Sequence, residues 1–184
     1  PEASAKFTTV QEAIGDLPPL KCGERGAEVK EYICEPMCDY QKRARIGSCG
    51  IYNHEAPRLS KENQERLKYI KPGGNWTDIP DELLPKGMKR ARKSDHTKRY
   101  GRVTPDGLAS TILTKCDPHW GAYFHYNQDR SFTVREAARL QSFPDHFIFI
   151  GTQGQQFAQV GNAVPPLLAE AVGLALKSIL EEGF

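Results

Sequence analysis

One stretch of this sequence concentrates its capacity for charge chemistry. Between residues 86 and 102 lie Lys86, Lys89, Arg90, Arg92, Lys93, Lys98, Arg99 and Arg102, opposed by Asp95 alone. Eight cations and one anion make this stripe +7, within a chain whose total is +2, so the remainder sums to −5. A local excess of this kind suits a polyanion such as the phosphate backbone of nucleic acid. The competing reading is a solvated charged loop. Cysteine chemistry is the other resource. Cys34 and Cys38 are separated by three residues, with Cys22 and Cys49 standing alone around them and Cys116 far away. Four thiolates could hold zinc, but structural zinc sites usually pair tightly spaced cysteines on both sides. An odd cysteine count with no secretory signal points to reduced thiols rather than to a disulfide framework or a metal. His119, His125, His146 and Trp120 show no metal-ligand or acid–base spacing and read as loop and strand residues.

These groups need elements to hold them. Thr9 and Glu12 can cap a short helix that Pro18-Pro19 ends. Ser60 can start a helix over about 61–70, with Leu67 and Ile70 on one side and Pro72-Gly73-Gly74 as its stop. Residues 74–80 read as an ordered loop anchored by Trp76. Residues 107–114 read as a turn feeding a strand, and 122–126 as a second short strand. Thr133-Val134-Arg135-Glu136 is a capping box opening a helix through Gln141, which stops at Phe143-Pro144-Asp145. A loop is expected next. Then Gly161-Asn162-Ala163-Val164-Pro165-Pro166 leads into a helix over about 165–180, striped with Leu168, Ala171, Val172, Ala175 and Ile179, with Gly183 beyond its end. By itself, Gly161-Asn162 reads as a turn.

The chain has 184 residues, 39% hydrophobic and 26% charged. That suits one domain with a core, alone or with an appendage, and not a disordered tail. No window approaches about 18 uninterrupted apolar residues, so no membrane span is expected. The polar opening Pro1–Lys6 gives no secretory signal, so a cytoplasmic protein is expected.

Two segments go further. Residues 130–145, Arg130-Ser131-Phe132-Thr133-Val134-Arg135-Glu136-Ala137-Ala138-Arg139-Leu140-Gln141-Ser142-Phe143-Pro144-Asp145, resemble the ninth motif of DNA (cytosine-5)-methyltransferases. Gln159-Val160-Gly161-Asn162-Ala163-Val164-Pro165-Pro166 resembles their tenth. Looser likeness to bacterial members runs through Asn53-His54, Gly73-Gly74-Asn75-Trp76, Ile79-Pro80, Tyr100-Gly101-Arg102-Val103 and Thr111-Ile112.

The resemblance implies an α+β chain: an irregular, small-stranded target-recognition domain, plus C-terminal helices that complete a Rossmann-like methyltransferase domain. Residues 1–20 would end the catalytic domain, 21–130 recognise the target, 131–150 support that region, and 151–184 return to the catalytic domain. Double-stranded DNA and S-adenosylmethionine are the implied ligands. Asn162, Ala163 and Val164 would touch the cofactor. Arg102 would grip guanine O6 and N7, and Thr111-Ile112 would face the DNA near a flipped cytosine. Lys89, Lys98, Arg99 and Lys115 would join them, mainly on phosphates. Arg135, Glu136 and Gln141 would be structural, Arg135 by bonding backbone carbonyls. The family's nucleophile is a cysteine after proline. Here the five cysteines follow Lys21, Ile33, Met37, Ser48 and Lys115. The Phe-x-Gly-x-Gly, Glu-Asn-Val and Gln-x-Arg-x-Arg segments are also missing. The expectation is therefore a portion inactive alone, which needs a catalytic N-terminal half in the same or another chain. The alternative is a DNA-binding module that has lost catalysis.

Overall fold

The computed structural model describes residues 7–25 and 28–181. The expectations for Pro1–Lys6 and Gly183 fall outside them. Helices α1 (Val10–Ile14), α2 (Asp39–Arg45), α3 (Lys61–Leu67), α4 (Val134–Leu140), α5 (Gln153–Asn162) and α6 (Pro166–Glu181) alternate with long connections. Two 3-10 turns, Trp76–Asp78 and Asp81–Leu83, follow α3. Strands β1 (Val29–Lys30) and β2 (Ile51–Tyr52) pair antiparallel, Val29 opposite Tyr52 and Lys30 opposite Ile51. The chain is mixed helix and strand with a small sheet.

The capping residues act as their types predict. Thr9, Ser60 and Thr133 each accept a backbone amide of the first helical turn, and Glu12 and Glu136 reach back to complete two capping boxes. Helix α4 ends with Ser142 in the left-handed region (φ 63°). The Phe143 amide returns to the Ala138 carbonyl, and the Ser142 amide to that of Arg139. That is a Schellman turn with serine in the glycine position. The Ser142 hydroxyl then accepts from the Leu167 amide at 3.1 Å, which ties the end of α4 to the start of α6.

Burial divides into two adjoining cores. The first joins Val10, Ala13, Ile14 and Leu17 to Val134, Ala137 and Ala138 of α4 and Phe157 and Val160 of α5. The second gathers Leu67, Ile70, Trp76, Ile79, Met88 and Tyr100 around Phe124. Tyr123 belongs to the first core and Phe124 to the second, as the alternation of an extended chain requires.

Helix α1 packs its apolar face on α4 within the first core. Four expectations change. Helix α3 stops at Leu67, with Ile70 buried from the turn beyond it. Residues 107–114 form no strand, since no partner ladder reaches them. In 122–126 only Phe124 bridges, to Arg102 and to Ser131. The loop expected after residue 145 contains α5, opened by a Thr152–Gln155 capping box.

Helix α6 has no buried residue. Gln153–Glu181 as a whole has the length and mean hydropathy of a membrane-crossing helix, which counting uninterrupted apolar residues does not register. A break at residues 163–165 divides it, and α6 alone has 16 residues, against the roughly 20 that a span takes.

Candidate functional site

The site is built outward from α4. Glu136 is fully buried and receives both terminal nitrogens of Arg130 at 2.7 Å. It also accepts the Thr133 amide at 2.8 Å. Burial alone would raise its carboxyl. The Arg130 guanidinium overrides this and holds it well below the usual carboxylate range. His125 lies 3.5 Å from the same carboxylate, yet burial lowers its pKa to about 4, so the imidazole is neutral and Arg130 carries the positive charge.

His54 bridges the Thr133 hydroxyl (2.9 Å) and the Pro18 carbonyl (2.8 Å). A carbonyl can only accept, so Nε2 holds the proton and Nδ1 accepts from Thr133. Arg135, two residues beyond Thr133, donates to the carbonyls of Tyr52 (2.9 Å), Pro144 (3.1 Å) and Phe147 (2.6 Å). Gln141 caps the helix and donates to the Val160 carbonyl of α5 at 3.3 Å.

Arg139 is the residue that sequence reasoning missed here. It binds Asp145 with two nitrogens, at 2.5 and 2.6 Å, and reaches Asp16 at 3.1 Å. Asp16 also receives Arg45 at 2.6 Å. Helices α1, α2 and α4 thus share one buried ion network. The signal was present: Arg135 and Arg139 are four apart, hence stacked on one helix face.

This scaffold displays the basic stripe. Met88 and Tyr100 are buried in the second core, and Trp76 Nε1 donates to the Asp95 carbonyl at 3.1 Å. The cations between these anchors stay outside: Lys86, Lys89, Arg90, Arg92, Lys93 and Lys98 are exposed. Arg99 is half-buried, its guanidinium 4.8 Å from the Trp120 ring centre. Lys115 is exposed further along.

Lys98, Thr111, Leu113 and Trp120 line one open cleft of about 480 Å³. Trp120 and Leu113 therefore join the candidate surface, and neither was expected there. Ile112 does not join it. It is buried in the first core, leaving exposed Thr111 and Leu113 on either side.

Arg102 also departs from expectation. Its guanidinium donates to the carbonyls of His125 (3.0 Å) and Ile70 (3.2 Å) and pairs with Asp129 at 3.0 Å. A fork so engaged is not available to grip guanine in this arrangement. Arg102 instead ties the two cores across the Phe124 bridge.

Gly161 brings the segment expected to touch a cofactor to the same place. Its Cα faces the backbone of Leu113 and Thr114 so closely that a Cβ would stand 2.5 Å from the Thr114 nitrogen. Gly161 and Asn162 end α5, and Ala163 is its cap, so these residues are not the turn that they suggest in isolation. Asn162 and Val164 are exposed. An open hollow of about 570 Å³ lies beside Asn162, walled by Ile150, Gly151, Gln155, Ala158 and Gln159. Neutral amides and apolar groups suit one wall of a pocket for a ligand with an amino-acid end and an adenosyl body. The hollow is open, so these residues do not enclose such a ligand.

A sequence model of the C-5 cytosine-specific DNA methylases matches residues 52–178, more than half of the chain. The chain belongs to this family. Family members in general depend on S-adenosylmethionine. The chain is 38% identical to DNA (cytosine-5)-methyltransferase 4 of Arabidopsis thaliana, over 97% of this chain and 13% of that protein. It is 35% identical to the type II methyltransferase M.DdeI of Desulfomicrobium norvegicum, over 91% of this chain and 42% of that one. It is 33% identical to the type II methylase M.HgiDII of Herpetosiphon aurantiacus, over 95% and 50%. The chain thus spans half or less of the length of each of these relatives. A crystal structure described as a DNA modification methyltransferase encoded within an E. coli prophage superposes with a TM-score of 0.66, at 23% identity, over 96% of this chain and 48% of that one. That likeness places the fold among methylases of this kind.

Cys116 is buried, and burial pushes its thiol well up. It is a core residue rather than a reactive thiolate. Among the described residues, no group of three or more His, Cys, Asp or Glu side chains has metal-holding geometry.

Proposed function

We propose that this chain is the DNA-recognition and cofactor-pocket-completing portion of a DNA (cytosine-5)-methyltransferase. The enzyme would transfer a methyl group from S-adenosylmethionine to C5 of cytosine in a specific duplex site. The observation that carries the proposal is the meeting of Gly161 with Leu113–Thr114. It joins the exposed Asn162–Val164 segment to the cleft of Lys98, Thr111, Leu113 and Trp120, on one buried support.

The roles divide by exposure. Lys89, Lys98, Arg99 and Lys115 neutralise phosphates and give affinity that falls with salt. Thr111, with Leu113 and Trp120, faces base edges. Asn162, Ala163 and Val164 form one wall of the cofactor pocket. The Asn162 side chain is exposed, which leaves its amide open to the polar end of the cofactor. When bound, the cofactor supplies the electrophilic methyl. The nucleophile comes from a catalytic part, in the same or a separate chain, because no cysteine here follows proline.

The apolar face of α6 supports the same reading. Val172, Leu176 and Ile179 are more than half exposed, and burial against the catalytic part would complete a Rossmann-like domain. The test is reconstitution. The chain is mixed with a catalytic half truncated from an M.DdeI-type relative, and methyl transfer to DNA is measured. Neither part alone should be active, and the mixture should be. Transfer by this chain alone would refute the division of labour. Duplex binding without any reconstitution would favour the non-catalytic DNA-binding module.

A further inference from the structure

Residues 111–113 have no ladder of their own, yet their backbone is held at both ends by one side chain. The Tyr123 hydroxyl donates to the Thr111 carbonyl at 2.8 Å and accepts from the Leu113 amide at 3.1 Å. A single phenol therefore performs, for three residues, what a neighbouring strand would otherwise do. Between these bonds Ile112 is 4% exposed and seated in the core, so Thr111 and Leu113 have little freedom to turn.

Tyr123 is itself fixed. Its ring lies over Gly121, where a Cβ would stand 2.6 Å from ring atoms. Its carbonyl accepts from the Phe132 amide at 2.9 Å, one residue before the Thr133 cap of α4. Burial pushes the phenol up to about 12, so it keeps the proton that it donates to Thr111 across the working range.

We infer that Tyr123 is the positioning residue of the DNA-facing segment: its hydroxyl fixes how Thr111 and Leu113 present themselves to the bases, and so sets sequence discrimination without touching DNA. This rests on the reading that residues 111–113 face DNA. Tyr123 is 1% exposed, whereas Leu113 is 43% exposed, which separates the group that positions from the group that reads.

The test uses the full chain and two variants. Tyr123→Phe removes the hydroxyl and keeps the ring. Gly121→Ala keeps the hydroxyl and displaces the ring. Three quantities are read: hydrogen exchange at the Leu113 amide, enrichment of sequences from a random duplex pool, and affinity for one fixed unrelated duplex. In both variants, Leu113 exchange should rise about tenfold or more, as expected when a part-buried donor loses its acceptor. Enrichment should fall by a similar factor, and affinity for the unrelated duplex should stay within about twofold, since phosphate contacts are untouched. Wild-type enrichment that persists in both variants overturns the inference, as does an unchanged Leu113 amide. A wild-type chain that enriches nothing refutes the DNA-facing reading instead, and the exchange measurement still decides whether the clamp exists.

Discussion

Gly161 stands against Thr114 with no room for a side chain: a methyl group there would lie 2.5 Å from the Thr114 nitrogen and 2.7 Å from its Cα. Both partners are backbone, so neither can swing aside as a flexible side chain would. Gly161 ends α5, which Gln141 ties to α4, while Thr114 continues the segment that Tyr123 clamps. The candidate cofactor wall and the candidate reading segment therefore share one contact, and a shift in one is felt by the other.

Gly161→Ala is expected to force α5 from residues 113–114. Overpacking of this kind typically costs about 1–3 kcal/mol. Urea unfolding of the variant beside the wild type checks it. Gly154→Ala is the control, because a Cβ there meets nothing within 4 Å. That exchange should be neutral or mildly stabilising, since Gly154 lies in the first turn of α5, where the preference of alanine over glycine is at most the ~1 kcal/mol of a helix interior.

Arg102 and Lys89 should separate by kind of effect. Arg102→Ala leaves two buried-side carbonyls and Asp129 without their donor. A loss of about 1–3 kcal/mol of stability is expected, seen as a lower urea midpoint with no DNA present. Lys89→Ala should leave stability unchanged and weaken all duplexes alike. It should also reduce the slope of log affinity against log salt by about one. Equal stability losses in the two variants would contradict this division.

The pH dependence of folding has a definite sign. His125 has a folded pKa of about 4, below its ordinary value of 6.5, because it is buried neutral. Burial lowers His54 as well, and Glu136 is held down by Arg130. Groups depressed in the folded state stabilise above their unfolded pKa and lose that contribution as pH falls. For His125 the loss should run from about pH 6.5 to 4 and reach roughly 3 kcal/mol. Glu136 adds a further loss below about pH 4.3, where the unfolded carboxyl takes its proton. Urea midpoints at pH 7, 5.5 and 4.5 should fall in order. His125→Gln should flatten the upper part of that descent.

The legible parts of the sequence were those where a few neighbouring residues decide the structure. The Thr9, Ser60 and Thr133 caps and the course of α4 needed only local chemistry. Helix α5 was missed because its glycines and glutamines carry a weak apolar stripe, with Phe157 and Val160 its only buried residues. The strand expected at 107–114 failed for a different reason. Its β-branched residues favour extension, but a strand also needs a partner, and here a phenol and a glycine supply the support. Arg102 was misjudged because nothing local shows that Ile70, His125 and Asp129 converge on it. The basic stripe was legible as charge, whereas Trp120 became a candidate only once Arg99 and Lys98 were seen beside it.

Helix α6 gives the last prediction. It buries nothing within the described residues, although Val172, Leu176 and Ile179 recur along it. Val172→Asp and Ile179→Asp should therefore leave the urea midpoint of the chain unchanged, since no core is disturbed. If α6 seats against the catalytic part, each removed side chain forfeits about 1.5–3 kcal/mol of apolar burial there. The double variant should then bind the catalytic half at least a hundredfold more weakly, with methyl transfer lost in proportion. Titration of the labelled catalytic half against each variant measures this directly. Undiminished affinity would show that α6 faces something else, and would detach the cofactor wall from the proposed assembly.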